Sequence, residues 1–225
     1  FIPARSGSKS IKDKNLKKIC GKPLIHYTLL LSTKIEKVKK IVFSSDSRKY
    51  LKIASKYKKV DCHLRSKKNS SDMATDHDVF KEYFSYILKK KEKLPEFFLH
   101  LRPTTPLRKK KTVEKILNFF VKNKKKFTSL RSVSELENSG FRTVIIKNHK
   151  LYSLFYKSFH LDGINKARQS FRKSYIPNGY TDIIKSENLI NNYLHGDKVC
   201  PFIINEFNSD VDNIDDFIRT ENYLK

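Results

Sequence analysis

The segment KIVFSSDSRKYLKIASKYK (residues 40–58) decides the fold that we predict for this chain. Its first part, KIVFSSD (40–46), is a short apolar run that ends in polar residues, which predicts a buried strand. Its second part, SRKYLKIASKYK (47–58), predicts a helix. A strand that passes directly into a helix is the repeating unit of folds with parallel strands.

The same alternation continues on both sides of this segment. Before it, IPA (2–4) ends a strand and KPLIHYTLLLSTKI (22–35) predicts a helix with proline near its first position. After it we predict strands at 62–65, 97–103, 128–133 and 199–205, and helices at 78–90, 111–123 and from about Ile214 to Leu224. We therefore predict an α/β fold: a doubly wound, mostly parallel, Rossmann-like sheet.

The alternation breaks between about residues 135 and 185. FRTVIIKN (141–148) and GYTDIIK (179–185) are strand-like, and the stretch between them is polar and rich in turn residues. We interpret 1–225 as a single domain in which about 135–185 is an inserted arm for dimerisation and for covering a substrate.

The net charge is +25, from 48 lysine and arginine residues against 23 aspartate and glutamate residues. Such a charge suits a polyanionic partner. However, the lysine runs at 89–91, 109–111 and 124–126 sit at helix ends or in turns and form no continuous tract. We therefore interpret lysine as the default surface residue of this chain and do not expect a nucleic-acid partner.

Three cysteines, Cys20, Cys62 and Cys200, lie far apart without C-x-x-C spacing, which argues against a disulfide framework or a zinc site. No apolar run approaches the length of a membrane span, and no signal-peptide pattern is present. We expect a cytoplasmic protein without a membrane partner. Because Phe1 is not an initiator methionine, we also expect the first strand to begin upstream of it.

Polar clusters follow the predicted strands, at the edge where ligands bind in folds of this kind. They are Arg5-Ser-Gly-Ser-Lys9, Ser44-Ser-Asp46, Arg65 and Arg102-Pro-Thr-Thr-Pro-Leu-Arg108. Backbone N–H groups of a Gly/Ser turn can bind phosphate oxygens, and arginine and lysine add the required charge. Neither of the two common nucleotide fingerprints, G-x-x-x-x-G-K-[ST] and G-x-G-x-x-G, is present.

Five ordered segments resemble the motifs of the CMP-N-acetylneuraminate synthetase family, the cytidylyltransferases that activate sialic acids. They are IPARSGSKSIKDKNLKKICGKPLIHYTL (2–29), SSDS (44–47), LRPTTPLR (101–108), ARQSFRKSYIPNG (167–179) and DVDNIDDF (210–217). The resemblance implies a nucleotidyltransferase of the acylneuraminate cytidylyltransferase type. Such an enzyme transfers CMP from CTP to the anomeric hydroxyl of a nonulosonic sugar acid and releases pyrophosphate.

The resemblance also implies nucleotide-binding residues, which are Arg5, Ser6, Gly7, Ser8, Lys14, Asn15 and Arg65. Arg5 and Lys14 would act in catalysis by stabilising charge on the α- and β-phosphates. Asp210 and Asp212 stand two apart, so on an extended strand both carboxylates face the same way. D-x-D is common by chance, but in this context it implies ligands for Mg²⁺ or another divalent cation, with Asp212 also catalytic.

The residues implied on the sugar-acid side are Arg102, Thr104, Thr105, Arg142, Arg168 and Asn178. Arg168 would meet the carboxylate of the sugar acid through its guanidinium group. For Arg142 an exposed strand residue remains an equal alternative, and for Asn178 a plain turn. The resemblance further implies a homodimer in which one subunit completes its neighbour's site.

The chain departs from the family pattern at five positions. Ser6 and Ser10 replace glycines, Arg102 and Thr105 replace glutamine and serine, and Ile176 stands where many members have arginine. The identity of the sugar acid therefore stays open among N-acetylneuraminate, legionaminate, pseudaminate and related acids.

Several alternatives also stay open. They are a cytidylyltransferase for the eight-carbon acid Kdo, a relative that binds without turnover, and a basic nucleic-acid-binding protein. The group that removes the anomeric proton, a metal-bound hydroxide or an aspartate, is open as well.

Overall fold

The structure is a computed structural model that describes residues 1–8, 10–155 and 161–225. Its strands are β1 (Ile2–Pro3), β2 (Lys18–Ile19), β3 (Lys22–Pro23), β4 (Ile41–Ser45), β5 (Val60–Leu64), β6 (Phe97–His100), β7 (Ser129–Glu135), β8 (Val144–Lys147), β9 (Lys150–Ser153), β10 (Tyr175–Lys185) and β11 (Val199–Ile203). Its helices are α1 (Leu24–Lys34), α2 (Arg48–Ala54), α3 (Asp76–Lys89), α4 (Lys110–Asn123), α5 (Ser186–Ile190) and α6 (Ile214–Leu224).

Seven strands form one mixed sheet in the order β5, β4, β1, β6, β10, β7, β11. The backbone nitrogen of Phe1 donates to the carbonyl of Leu99 at 2.6 Å, and the N–H of Leu101 donates to the carbonyl of Phe1 at 3.0 Å. These bonds join β1 to β6 in the pattern of parallel strands. Only β10 runs antiparallel to both of its neighbours in this sheet. The predicted α/β fold with a mostly parallel sheet is confirmed.

Helices cover both faces of the sheet. Helices α1, α2 and α4 pack on one face, around residues such as Phe43 and Ile183. Helix α3 packs on the other face, around residues such as Val42 and Ile184. Successive strand residues thus enter opposite cores, which is why the strands read as continuous apolar runs.

Two predicted elements end three or more residues earlier than the sequence indicates. The helix predicted at 47–58 ends at Ala54, because the chain then turns through Lys59 with a positive φ of 63° before β5. The strand predicted at 97–103 ends at His100. Pro103, three residues further on, has no N–H with which to extend the strand, so the chain leaves the sheet before it.

Part of the segment predicted as an insertion, about 135–185, belongs to the main sheet. Residues Tyr175–Lys185 form β10, which lies inside the sheet between β6 and β7. Its first three residues are exposed and the residues 180–184 are buried, so only its second half has the pattern of a core strand. What remains of the insertion is the β8–β9 hairpin and short 3-10 turns, while residues 156–160 lie outside the described part of the chain.

Candidate active site

The predicted polar clusters meet at the carboxyl ends of β1, β4, β5 and β6. Because these strands are parallel, the loops that leave them lie at the same edge of the sheet. The segment after β11 joins them, since the N–H of Val211 donates to the carbonyl of Thr104 at 2.7 Å. We call this edge the rim.

The loop after β1 is held by side chains from other loops of the rim. The backbone N–H and the hydroxyl of Ser6 donate to the carboxylate of Asp46 at 2.8 and 2.7 Å. The guanidinium of Arg5 lies 2.7 Å from a carboxylate oxygen of Asp72. The side-chain amide of Asn15 donates to the carbonyl of Arg5 at 3.0 Å. These contacts fix the conformation of the loop, and the Arg5 guanidinium is paired with a carboxylate.

The serines that stand at glycine positions of the family pattern both make contacts that hold this loop. Ser6 has no positive φ and bonds Asp46, and the hydroxyl of Ser10 donates to the carbonyl of Asp212. Gly7 is exposed, and a Cβ at this position would meet no atom within 4 Å. Lys9, which belongs to the predicted phosphate turn, lies outside the described residues.

Lys14 and Asp212 form an ion pair across the rim. The Nζ of Lys14 lies 2.9 Å from Oδ1 of Asp212, although the two residues are 198 positions apart. The lysine side chain is 11% exposed and the carboxylate 71% exposed. Beside them, Oδ1 of Asn15 is buried without a hydrogen-bond partner among the described residues, so it remains available as an acceptor.

Thr105, Gly179 and Asp210 lie against one another at the rim. Gly179 has a φ of +66°, and a Cβ there would come within 3.1 Å of Oδ2 of Asp210 and 3.2 Å of the hydroxyl of Thr105. The hydroxyl of Thr105 donates to the carbonyl of Gly179 at 3.2 Å. Glycine is therefore required both for its backbone conformation and for this close approach.

The buried guanidinium group of Arg108 stabilises the contact between Thr105 and Gly179. It donates to the carbonyls of Thr105, Gly179 and Tyr180 and to the hydroxyl of Thr28. Burial lowers the pKa of Arg108, and these acceptors take up its donors where solvent is excluded. In the sequence, Arg108 stands out only as the last residue of the motif LRPTTPLR (101–108). Its position directly after the apolar pair Pro106-Leu107 is the signal that could have identified it as a buried structural arginine.

Arg102 is held between two carboxylates. Its guanidinium lies 2.6 Å from Asp76 and 3.0 Å from Asp182, whose side chain is 1% exposed. A second arginine, Arg131, lies 3.6 Å from the other oxygen of Asp182. Burial acts to raise the pKa of Asp76, but the neighbouring His100 and Arg102 outweigh it and the pKa is lowered. The departure from glutamine at position 102 is thus matched by partners that motif reading did not find.

Arg65 supports the rim from within the protein. It is 6% exposed and donates to the carbonyl of Ser44 at 2.8 Å and to its hydroxyl at 3.3 Å. Burial lowers the pKa of Arg65, opposed by the nearby carboxylates of Asp46, Glu82 and Asp76. The residue predicted to contact a nucleotide is therefore mostly enclosed by protein.

The predicted residues of positions 142–178 have three different environments. Arg142 donates to the carbonyl of Ile164 at 3.1 Å, within the inserted segment. Arg168 is exposed and begins the 3-10 turn Arg168–Ser170. The amide of Asn178 bonds two serine hydroxyls of β7 at 2.7 and 2.9 Å and thereby holds the irregular part of β10, so it does more than form a plain turn.

Asp210 and Asp212 flank the buried Val211 in an extended segment that pairs with no strand, so the expected strand is not formed there. Both aspartates are exposed, as the predicted alternation requires. Carboxylate oxygens suit Mg²⁺, which needs few protein ligands and keeps water or phosphate at its other positions. Within the described ranges no group of three or more His, Cys, Asp or Glu residues could hold a metal. The chemistry of the two carboxylates suits a hard cation that takes its other ligands from water or phosphate.

A cavity of about 530 Å³ opens at the opposite edge of the sheet. Its lining includes Phe1, Val38 and Leu94, and it contains none of the predicted site residues. The rim, and not this cavity, is therefore the candidate active site.

Comparison with known proteins assigns the chain to a family. The family model for Cytidylyltransferase matches residues 1–192, so the chain belongs to the cytidylyltransferase family. It is 29% identical over 233 residues to the N-acylneuraminate cytidylyltransferase of Streptococcus agalactiae, a match that covers 100% of this chain and 52% of that protein. It therefore spans about half the length of that relative. The family resemblance stated from the motifs is confirmed.

Two further proteins are similar to this chain. The pseudaminic acid cytidylyltransferase of Campylobacter jejuni is 30% identical over 153 residues, which cover 68% of this chain and 65% of that protein. A CMP:2-keto-3-deoxy-manno-octonic acid synthetase solved with CTP superposes with a TM-score of 0.67 at 14% identity, covering 99% of this chain and 96% of that one. At this identity the structural likeness shows the fold alone.

Proposed function

We propose that this chain transfers CMP from CTP to the anomeric hydroxyl of a nonulosonic, sialic-type sugar acid and releases pyrophosphate. The contact between Lys14 and Asp212 at 2.9 Å carries the proposal. It brings a cation for phosphate and a carboxylate for a metal to one point of the rim, from opposite ends of the chain. Membership of the cytidylyltransferase family and the names of the similar proteins support the reaction type.

The nucleotide would bind along the loop after β1. Arg5 and Lys14 would neutralise the phosphates, each exchanging its present aspartate partner for phosphate oxygens. The backbone of Gly7 and Ser8 would add N–H donors. The unpartnered Oδ1 of Asn15 would accept a hydrogen bond from an amino group such as that of cytosine.

Asp210 and Asp212 would hold Mg²⁺ or another divalent cation at the end of this loop. When bound, such a cation supplies positive charge that stabilises the developing charge on phosphate oxygens. The protein's own part is to keep the two carboxylates at the rim, which Gly179 does through its contact with Asp210 and Ser10 does through its hydrogen bond to the carbonyl of Asp212.

The sugar acid would bind beside Arg102, Thr104 and Thr105, with its carboxylate near an arginine. Arg168 suits this part because it is exposed on the inserted segment. We further propose a homodimer formed through this segment, in which Arg168 completes the partner's site. The exposed apolar side chains of the hairpin support that assembly; they include Ile145, Ile146, Leu151, Leu154 and Phe155. Three free cysteines support a cytoplasmic, reducing compartment.

Pyrophosphate release tests the proposed reaction. The assay combines Mg²⁺ with each of the four ribonucleoside triphosphates and with N-acetylneuraminate, legionaminate, pseudaminate or Kdo. We expect release with CTP and one nonulosonic acid, and a loss of about 100-fold or more in Asp212→Asn because a cation ligand is removed. Asp215→Asn, an exposed aspartate three positions further on, is the matched control and should keep its activity.

The alternatives give different results in the same assay. Pyrophosphate release with Kdo and with no nonulosonic acid would mean that Kdo is the sugar acid that the protein activates. CTP binding without turnover by any acid, in folded full-length protein, would indicate a relative that only binds. Equal loss of activity in both aspartate variants would contradict the assigned role of Asp212.

A further inference from the structure

Four of the loops that lead from a helix into a strand lie at the edge of the sheet opposite the rim. They are residues 35–40, 55–59, 90–96 and 124–128, and we call them the basic edge. Twelve of their 23 residues are lysine, three in each loop, whereas 38 of all 225 residues are lysine. None of the 23 residues is an arginine. Lysine is thus concentrated about threefold at this edge.

The four loops form a continuous surface although they are far apart in the sequence. The N–H of Ile41, which begins β4, donates to the carbonyl of Lys59 at 2.9 Å. Lys40 lies 3.0 Å from Glu92, and Lys124 lies 2.7 Å from Glu96. Each contact ties one loop or its strand to the neighbouring loop. With strands about 4.8 Å apart, the surface extends over roughly 25 Å from β5 to β7. Two of the three lysine runs that look separate in the sequence, 89–91 and 124–126, therefore lie at the same edge of the sheet.

Most of the charge on the basic edge is not neutralised. Eleven of the twelve lysines are exposed, and Lys124 is half-buried. Ten of the twelve form no ion pair with a carboxylate of the described part of the chain; the exceptions are Lys40 and Lys124. Lys59 and Lys91 even occupy positions with φ of 63° and 55°, which favour glycine or asparagine. The edge therefore presents a broad field of unpaired positive charge.

The composition of the edge distinguishes among anionic partners. A protein interface normally has an apolar core and few lysines, whereas apolar side chains of these loops, such as Val38 and Leu94, line the cavity of about 530 Å³ and none of the large ones is exposed on the surface. Binding to single-stranded nucleic acid normally uses exposed aromatic rings for stacking, and Tyr57 and Phe127 are only half-exposed here. Lysines on a broad edge act as point charges, which suits a surface of anionic headgroups.

We infer that the basic edge docks this protein on the surface of an anionic lipid bilayer. The association would be peripheral, because no helix among the described residues is long and apolar enough to cross a membrane. A peripheral contact depends on surface charge and not on an apolar run, so the lack of an apolar run in the sequence does not exclude it. Because the rim lies at the opposite edge of the sheet, the candidate active site would face away from the bilayer. The inference does not depend on the proposed function.

Co-sedimentation of the full chain with vesicles tests this inference. We expect binding to vesicles with about 30% phosphatidylglycerol, none to pure phosphatidylcholine, and release at about 0.5 M NaCl. A six-lysine variant removes charge from three of the loops. It combines Lys56→Gln, Lys58→Gln, Lys91→Gln, Lys93→Gln, Lys125→Gln and Lys126→Gln. The vesicle partition coefficient should fall by roughly 100-fold or more, since each lysine near such a surface contributes on the order of fivefold.

A control variant loses the same charge elsewhere on the surface. It combines Lys18→Gln, Lys22→Gln, Lys49→Gln, Lys111→Gln, Lys115→Gln and Lys225→Gln. We expect it to keep most of the vesicle binding, while circular dichroism verifies that both variants are folded. Equal losses in both variants, or no binding to anionic vesicles, would overturn the inference. So would tighter binding of the basic edge to a DNA oligonucleotide than to vesicles at the same salt.

Discussion

At the scale of single residues, three cations of the rim are paired with carboxylates. Arg5 is paired with Asp72, Lys14 with Asp212, and Arg102 with two aspartates. Each of these cations is therefore positioned by an acidic partner, and Arg5 and Lys14 would exchange that partner for phosphate oxygens when a nucleotide binds. The basic edge shows the opposite pattern, in which most lysines have no acidic partner.

Replacing Arg102 by glutamine, the residue of the family pattern, tests whether the network around it is structural. In Arg102→Gln the buried Asp182 keeps the longer contacts to Arg131 at 3.6 Å and to His100 at 3.8 Å. We expect the free energy of unfolding in urea to fall by about 1–3 kcal/mol, because a buried carboxylate loses its closest cation. Asp182→Asn in the Arg102→Gln background should recover part of this loss.

Arg172→Gln is the control for that experiment, since Arg172 is exposed. Its unfolding free energy should change by less than about 0.5 kcal/mol. If Arg102→Gln is as stable as the wild type, the ion pairs around Arg102 have no structural importance. The residue would then be available for the sugar acid alone.

At the scale of secondary structure, β10 connects the sheet to the candidate site. Its second half is a core strand between β6 and β7, and its register shifts between Pro177 and Asp182. Asn178 and the guanidinium of Arg108 hold this irregular part. As a result, Gly179 reaches the carboxylate of Asp210 at the rim. A strand irregularity of this kind is a common way to aim backbone at an active site.

Gly179→Ala tests the close approach between β10 and Asp210. An added Cβ would lie 3.1 Å from the carboxylate, on a residue with φ of +66°. We expect the free energy of unfolding to fall by about 1–2 kcal/mol. Pyrophosphate release should fall on the order of tenfold, because Asp210 has to move.

Gly163→Ala is the matched control, because a Cβ at Gly163 meets no atom within 4 Å and no positive φ is involved. Its stability should stay within about 0.5 kcal/mol of the wild type. A Gly179→Ala variant with unchanged stability and activity would show that this contact does not position Asp210.

At the scale of the whole molecule, the fold buries histidine beside its charge network. His100 is fully buried, 3.8 Å from Asp182 and near Arg102 and Asp76. Burial lowers the pKa of His100 well below its ordinary value. In acid the unfolded chain takes up a proton at this residue and the folded chain does not, so acid favours unfolding.

We therefore expect His100→Gln to lose less stability in acid than the wild type. The destabilisation that His100 causes in the wild type is absent above the unfolded pKa near 6.5. It grows as the pH falls below that value, by up to about 1.4 kcal/mol of unfolding free energy per pH unit. Urea unfolding at pH values of about 7 and 5 measures the difference. Because burial also lowers the pKa values of His26, His63 and His195, the dependence should shrink without vanishing.

His149→Asn provides the comparison for this experiment. His149 is exposed in the β8–β9 turn at φ of 59°, a conformation that asparagine tolerates well. This variant should keep the acid dependence of the wild type. An equal dependence in His100→Gln and the wild type would mean that His100 takes up its proton without unfolding.

Much of the candidate site follows from the sequence by itself. Short apolar runs followed by helical periodicity predict parallel strands, and the ends of parallel strands meet at one edge. The polar residues after those runs therefore had to meet, as Ser6 and Asp46 do at 2.7 Å. The order of the family motifs placed Lys14 and Asp212 in the same site. These inferences succeed because they depend on local pattern and on one topological rule.

The tertiary structure alone decided the features that depend on distant partners. Asp76, Asp182 and Arg131 surround Arg102, and no local pattern couples four residues spread over more than 100 positions. The first half of β10 is exposed and contains the turn residues Pro177, Asn178 and Gly179, so the pattern of a core strand begins only at Tyr180. The lysines of the basic edge look evenly dispersed until the sheet aligns their loops. In each case the deciding energy comes from contacts between residues that the chain brings together only when it folds.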